Sequence, residues 1–353
     1  MKNLYENLCF AISVMIAGSS FASENPLYEE NPSRVSIPAV TAGDQYGAYQ
    51  DLALRFKDSD TLELVSVQEG VLLNYINQVK VLQPNTVPAQ VFLEISGEFP
   101  SGCGKIGHIV QHEANGLISV NVYFENDDWL RNPELVPCTL AMRPFREVIP
   151  LQVYGLSAGE YQYTLNNAFT GSFTLAADAS TSTVMPAIKL PVYSEENSTL
   201  SIPAIDMPGK PGAFQDAELA LGSNNLWQLN EAIEAKRNES ITSVELIQTS
   251  SFPVQVFLKI SGEYNHGCAR TGQTHVAFDG KKLLINSYYE NNLWVVSPEV
   301  VLCAAVITPF SFVYPLPVYG LDAGEYQYDL NGEFTGSFTL TQNNVYESSS
   351  PAY

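Results

Sequence analysis

The sequence matches itself without a gap at an offset of 165 residues, and this duplication limits the possible folds more than any other feature. Pro26 to Leu175 falls on Pro191 to Leu340, so Ser36-Ile37-Pro38-Ala39 meets Ser201-Ile202-Pro203-Ala204 and Gln50-Asp51 meets Gln215-Asp216. Between Pro88 and Leu175, 45 of 88 positions are identical. A fold proposed for one copy must therefore suit the other.

Within each copy the apolar residues recur with period two. Gln90-Val91-Phe92-Leu93-Glu94-Ile95-Ser96, Glu147 to Tyr154 and Glu160 to Leu165 are short runs rich in β-branched and aromatic residues, bounded by Gly, Pro and Asn. Asn166-Asn167, which becomes Asn331-Gly332, supplies residues that tolerate positive φ and predicts a hairpin between the last two strands. The expected fold is all-β: two tandem copies of an antiparallel β-sandwich (Ig-like) unit, each with a small N-terminal β-meander. The first unit is expected over 23–175, with its meander at about 34–70 and its sandwich at about 76–175. The second is expected over 191–341, with meander at about 199–235 and sandwich at about 241–341. The Ser/Thr/Ala-rich stretch 176–190 reads as a linker giving two beads with freedom between them, and 342–353 as a flexible tail. Asn230 to Asn238 has helical composition, but its counterpart Val65 to Leu73 looks extended, so a strand end followed by a loop is expected.

Residues 1–22 read as a signal peptide: Lys2, an apolar stretch from Leu8 to Gly18, then Ser20-Phe21-Ala22 ahead of the cleavage point. No later segment approaches the roughly 20 apolar residues of a membrane-spanning helix, so a secreted or periplasmic location is expected. The formal charge of −21 is unchanged by removal of the signal segment, whose Lys2 and Glu6 cancel. A field of that sign repels phosphate backbones and anionic lipid, which argues against nucleic acid and membrane partners; solubility is the plainer account of it.

Four cysteines then remain, one equally spaced pair per copy: Cys103 with Cys138 and Cys268 with Cys303. In an exported chain this reads as a disulfide framework, each bridge stabilising its unit by about 4 kcal/mol in the chain-entropy model. Zinc is the competing reading, but no second Cys lies nearby, and neither metal nor cofactor is expected.

Three motifs recur: an entry of the Leu-x-Ile-Pro-x-Val type, which is Val35-x-Ile37-Pro38-x-Val40 in one copy and Leu200-x-Ile202-Pro203-x-Ile205 in the other, a Gly-x5-Cys segment ending at Cys103 and Cys268, and Gly155-Leu156-x-Ala158-Gly159-x-Tyr161 with its counterpart ending at Tyr326. In these the chain resembles uncharacterised bacterial secreted proteins with tandem Ig-like β-sandwich modules. The resemblance spans both copies and implies location and fold type, without supplying an activity.

Candidate chemistry is sparse. Gly155-Leu156-Ser157-Ala158-Gly159 fits the nucleophile-elbow pattern, but a strand follows it rather than a helix, and Asp322 replaces the Ser in the second copy. A tyrosine corner at Tyr161 and Tyr326 is the better account. His108 and His112 have no His counterparts, nor do His266 and His275, and the i, i+4 spacing of the first pair corresponds to about 13 Å along a strand. Asp58 to Glu63 has the carboxylate density for calcium, but its counterpart Ser223 to Gln228 has no carboxylate, which favours a solvated turn.

The most suggestive cluster is Tyr123, Glu125, Asn126 and Trp129, matched by Tyr288, Glu290, Asn291 and Trp294. Aromatic faces beside a carboxylate and an amide can form a sugar-binding platform. The same residues can equally fill the sandwich edge and close the loop that leads to the cysteine. The expected function is non-catalytic binding or adhesion to an extracellular glycan or surface protein. A purely structural spacer is the alternative. An enzyme or enzyme inhibitor comes third, because Glu125 with Asp127 or Asp128 is too local to flank a scissile bond.

Overall fold

A computed structural model describes residues 25–125, 137–179, 189–296 and 302–346 of the chain. Among the described residues, eleven strands in the first copy recur at equivalent positions in the second. The first five are β1 (Leu27–Glu30), β2 (Ser33–Ala42), β3 (Gln45–Phe56), β4 (Thr61–Glu69) and β5 (Ile76–Leu82). There follow β6 (Phe92–Phe99), β7 (Ile106–Ala114), β8 (Leu117–Phe124), β9 (Arg143–Pro150), β10 (Gly159–Leu165) and β11 (Phe169–Leu175). The second copy runs β12 (Val192–Ser194), β13 (Thr199–Met207), β14 (Lys210–Leu221), β15 (Leu226–Glu234), β16 (Ile241–Gln248) and β17 (Val256–Tyr264). It continues with β18 (Thr271–Asp279), β19 (Lys282–Tyr289), the four-residue helix α1 (Leu293–Val296), β20 (Thr308–Leu316), β21 (Gly324–Leu330) and β22 (Phe334–Leu340).

Seven strands of each copy form a sandwich, with β5-β6-β9 facing β11-β10-β8-β7 and, in the second copy, β16-β17-β20 facing β18-β19-β21-β22. Pairing is antiparallel except between β8 and β10 and between β19 and β21, which run parallel. Alternating residues meet between the sheets: Leu93, Ile95, Val120, Val122, Ile149 and Leu165 are buried together in the first copy, and Leu258, Ile260, Leu283, Ile285 and Leu330 in the second. The last two strands form the expected hairpins, with Asn166, Asn167, Asn331 and Gly332 at positive φ.

The meanders behave differently from expectation. They do not belong to separate beads; they join in one sheet. β2, β3 and β4 pair antiparallel, β4 pairs with β15 across the copies, and β15, β14 and β13 complete the run. The short strands β1 and β12 share the remaining gap, each pairing antiparallel in its own copy and parallel in the other, at Leu27 to Asp206 and Val192 to Thr41. Every edge is thereby paired and the sheet closes into a barrel. Its core draws on both copies, with Val35, Ile37, Leu54 and Leu62 against Leu200, Ile202, Leu219 and Trp227. The physical reason is that a three-stranded meander with one apolar face has nothing to cover it within its own copy. The other copy's meander presents the same face.

These pairings obey a pseudo-two-fold axis. Leu62 pairs with Trp227, its own repeat equivalent, flanked by the equivalent pairs Glu63 with Leu226 and Thr61 with Gln228. The sandwiches meet about the same axis: Gln90 Nε2 donates to the carbonyl of Pro253 (3.1 Å), and Gln255 Nε2 to that of Pro88 (2.8 Å).

Asn230 to Asn238 is a strand end and loop, with Arg237 bridging to Tyr288. The expectation of a flexible tail from residue 342 is corrected. Asn344 is fully buried and bonds both the N–H and the carbonyl of Val254, and Tyr346 stacks on Phe92 of the first copy at 5.4 Å. Of the stretch 176–190, residues 180–188 lie outside the described residues.

Candidate functional site

The two aromatic clusters begin at the ends of β8 and β19, where each sandwich meets the barrel. Tyr123 is 0% exposed and Tyr288 2%. The Tyr123 hydroxyl donates to the carbonyl of Tyr46 and the Tyr288 hydroxyl to that of Pro211, both at 2.5 Å, and the same carbonyls accept from Asn121 and Asn286. Gly47 and Gly212 follow these carbonyls at φ of 77° and 68°, and a Cβ at Gly47 would lie 2.8 Å from Val110 Cγ2. The two tyrosines are therefore clamps between barrel and sandwich, and their buried rings cannot form a recognition face. Burial pushes the Tyr288 phenol up to about 12 and raises that of Tyr123.

The remaining members scatter. Glu125 pairs with Lys105 at 2.8 Å on the surface, and Glu290 is exposed. Asn291 Nδ2 donates to Gln215 Oε1 and Asp216 Oδ2, both at 3.0 Å. Trp294 in α1 is half-buried, with the Lys236 ammonium 4.2 Å from its ring centroid, His266 at 4.3 Å and Tyr289 edge-on at 5.2 Å. The indole is thus already in contact with a cation and an imidazole. Asn126 and Trp129 lie outside the described residues, and Val71 and Ser101 stand where the second copy has Lys236 and His266.

Beside these clusters lie the disulfides, Cys103–Cys138 and Cys268–Cys303. Each ties the turn after β6 or β17 to a segment leading into β9 or β20, which is also held by Gly102 N donating to Thr139 O and Gly267 N to Ala304 O. Beyond the second cysteine of each pair the chain is apolar and exposed. Leu140 is 93% exposed and Ile307 68%, with Met142 and Val306 beside them, and Leu302, just before Cys303, is exposed as well. Thr139 to Met142 and Ala304 to Ile307 share no residue, but the second stretch is apolar throughout and the first apolar but for Thr139. Sequence reasoning missed these segments because it followed the aromatic residues; the signal was an apolar stretch next to a cysteine with no alternation to bury it.

Between the sandwiches a cleft of about 240 Å³ lies on the pseudo-axis. Tyr154 packs on Phe257 at 5.1 Å and Tyr319 on Phe92 at 5.3 Å, a symmetric pair of aromatic contacts. The Ser157 turn carries the tyrosine corner, with Tyr161 OH donating to Ser157 O (2.9 Å) and Tyr326 OH to Asp322 O (3.0 Å). His266, Cys268 and Cys303 bring potential ligand atoms within 4.8 Å of one another, but both sulfurs are taken by the disulfide. Among the described residues no other such cluster occurs, and no helix is long and apolar enough to cross a membrane.

Two segments, 93–175 and 258–340, match the family model of the ORF11 beta-sandwich domain. Each covers one sandwich from its second strand to its last, so both sandwiches are similar to that domain while the barrel lies outside the match. No curated protein and no solved structure matches the chain.

Proposed function

We propose that the protein is a non-catalytic binding protein of the cell exterior, whose two sandwiches present paired, disulfide-tethered apolar loops to a surface protein. The observation that carries this reading is the exposure of Leu140 and Met142 in the first copy and of Leu302, Val306 and Ile307 in the second, on the same disulfide-tethered segment, with Met142 and Ile307 at equivalent positions. Large apolar side chains left in water beside a covalent tether fit a surface that is covered in use, since contiguous exposed apolar patches mark interaction sites. Apolar aliphatic loops suit a protein partner better than a glycan, which would need open aromatic faces. The disulfides support an oxidising compartment, in keeping with export. The Ser157 motif fits the non-catalytic reading, since its backbone carbonyl is the acceptor of the tyrosine corner.

Retention of the whole protein on immobilised surface-protein extract and on immobilised polysaccharides tests this. The double variant Leu140→Asp, Leu302→Asp should lose about tenfold or more in retention on protein, with an unchanged melting temperature because both side chains are exposed. Retention on polysaccharide lost in Trp294→Ala would favour the glycan reading. Absence of retention on either surface would leave the spacer reading.

A further inference from the structure

The barrel is filled unequally at its two ends. At one end Trp227 packs edge-on against Tyr193 (6.0 Å), which meets Tyr49 (6.3 Å). At the other, Leu62 stands in the position equivalent to Trp227 and Ala232 in that equivalent to Val67. There the barrel keeps a cavity of about 280 Å³, open at the turn after β3. Its walls are apolar and come from both copies. Tyr28 lies across it, edge-on to Phe56 (5.8 Å) and Phe214 (6.4 Å).

Polar groups lining the cavity are few: Ser33, bonded to the Tyr28 hydroxyl (3.3 Å), and Asp58 with Ser59 at the rim. Hydrogen bonds from the N–H of Asp60 and from Thr61 hold the Asp58 carboxyl below its usual range, so the rim is anionic. No basic side chain is among the described residues that line the mouth.

An apolar cavity of about 150 Å³ suffices for benzene, so this one has room for about two fused rings. Mouths of β-barrels are recurrent sites for single small ligands. The same barrel fills the equivalent space with an indole, so the opening is a property of this end and not of the architecture. We propose that this mouth binds one small neutral or cationic apolar molecule, of the size of a substituted naphthalene. The site is separate from the disulfide-tethered loops and does not depend on their role. The anionic rim and a formal charge of −21 disfavour carboxylate or sulfonate ligands of the same size.

The test uses N-phenyl-1-naphthylamine and its 8-sulfonate, which differ by one anionic group, as fluorescent probes of the whole protein. The neutral probe is expected to bind one per chain, roughly tenfold or more tighter than the sulfonate. Leu62→Trp, which repeats the filling seen at the other end, should weaken the neutral probe by about tenfold or more. Ala232→Phe should do the same from the rim, where the exposed position leaves the core untouched, so a folding defect in the first variant cannot decide the result. Tyr154→Ala, in the cleft between the sandwiches, should leave binding unchanged. Failure of the neutral probe to bind, or binding that survives both blocking variants, overturns the proposal. Equal affinity for the sulfonate overturns its charge selectivity.

Discussion

Gly212 lies between two buried titratable side chains that its counterpart Gly47 does not meet. Its N–H donates to Asp206 Oδ1 at 2.6 Å, and its Cα faces the ring of His275, whereas Gly47 faces Val110 and Thr41 takes the place of Asp206. Burial raises Asp206 to about 6 and lowers His275 to about 4. From about pH 4 to 6 the folded chain keeps an Asp206 proton that the unfolded chain has released, so this group makes stability fall as pH rises. Over nearly the same window the unfolded chain holds a His275 proton that the folded chain lacks, so this group makes stability fall as pH drops. The two slopes oppose, each amounting to roughly 3 kcal/mol at 1.36 kcal/mol per pK unit. Relative to the parent protein, Asp206→Asn should gain roughly that much stability between pH 4 and 6. His275→Val should lose a similar amount between pH 4 and 6.5. Urea denaturation across this range measures both, and parallel curves for all three proteins would contradict the assignment.

Local devices account for most of what the sequence made legible. The Ile-Pro-Ala and Gln-Asp motifs prove to be one device, since the register places Pro38, which lacks an N–H, opposite Asp51 at φ 50°, and Pro203 opposite Asp216 at φ 51°. The hairpins, the disulfide pairs and the tyrosine corner were readable for the same reason: each is fixed by residues close in sequence or by a parity of cysteines. For the corner, Tyr161→Phe and Tyr326→Phe should each lose about 1 kcal/mol in thermal unfolding. Ser157→Ala should stay within about 0.5 kcal/mol, because the acceptor is the Ser157 carbonyl. The barrel was not readable. Its decisive pair, Leu62 with Trp227, joins residues a full repeat apart, and alternation shows that a strand has an apolar face without showing what covers it. The aromatic clusters misled for a related reason, since Tyr123 and Tyr288 carry the composition of a platform and the burial of a clamp.

At the scale of the molecule, each half of the chain lacks half of a core. A fragment ending near Leu175 and another beginning near Pro191 should each fail to give a single cooperative unfolding transition with the barrel intact, and should associate one to one when mixed. Pairing of either fragment with itself should be weaker, because Leu62 against Leu62 leaves a void on the axis and Trp227 against Trp227 crowds it. Native mass spectrometry of the separate and mixed fragments distinguishes these outcomes, and monomeric, cooperatively folded fragments would contradict the shared core. The axis through that pair gives the chain the geometry of a homodimer whose subunits have been joined end to end. In a dimer of identical chains every substitution occurs twice, so an opening made at one end of the barrel opens the other as well. Joining the subunits removes that coupling, and one end can be sealed to hold the halves together while the other is released for a different use.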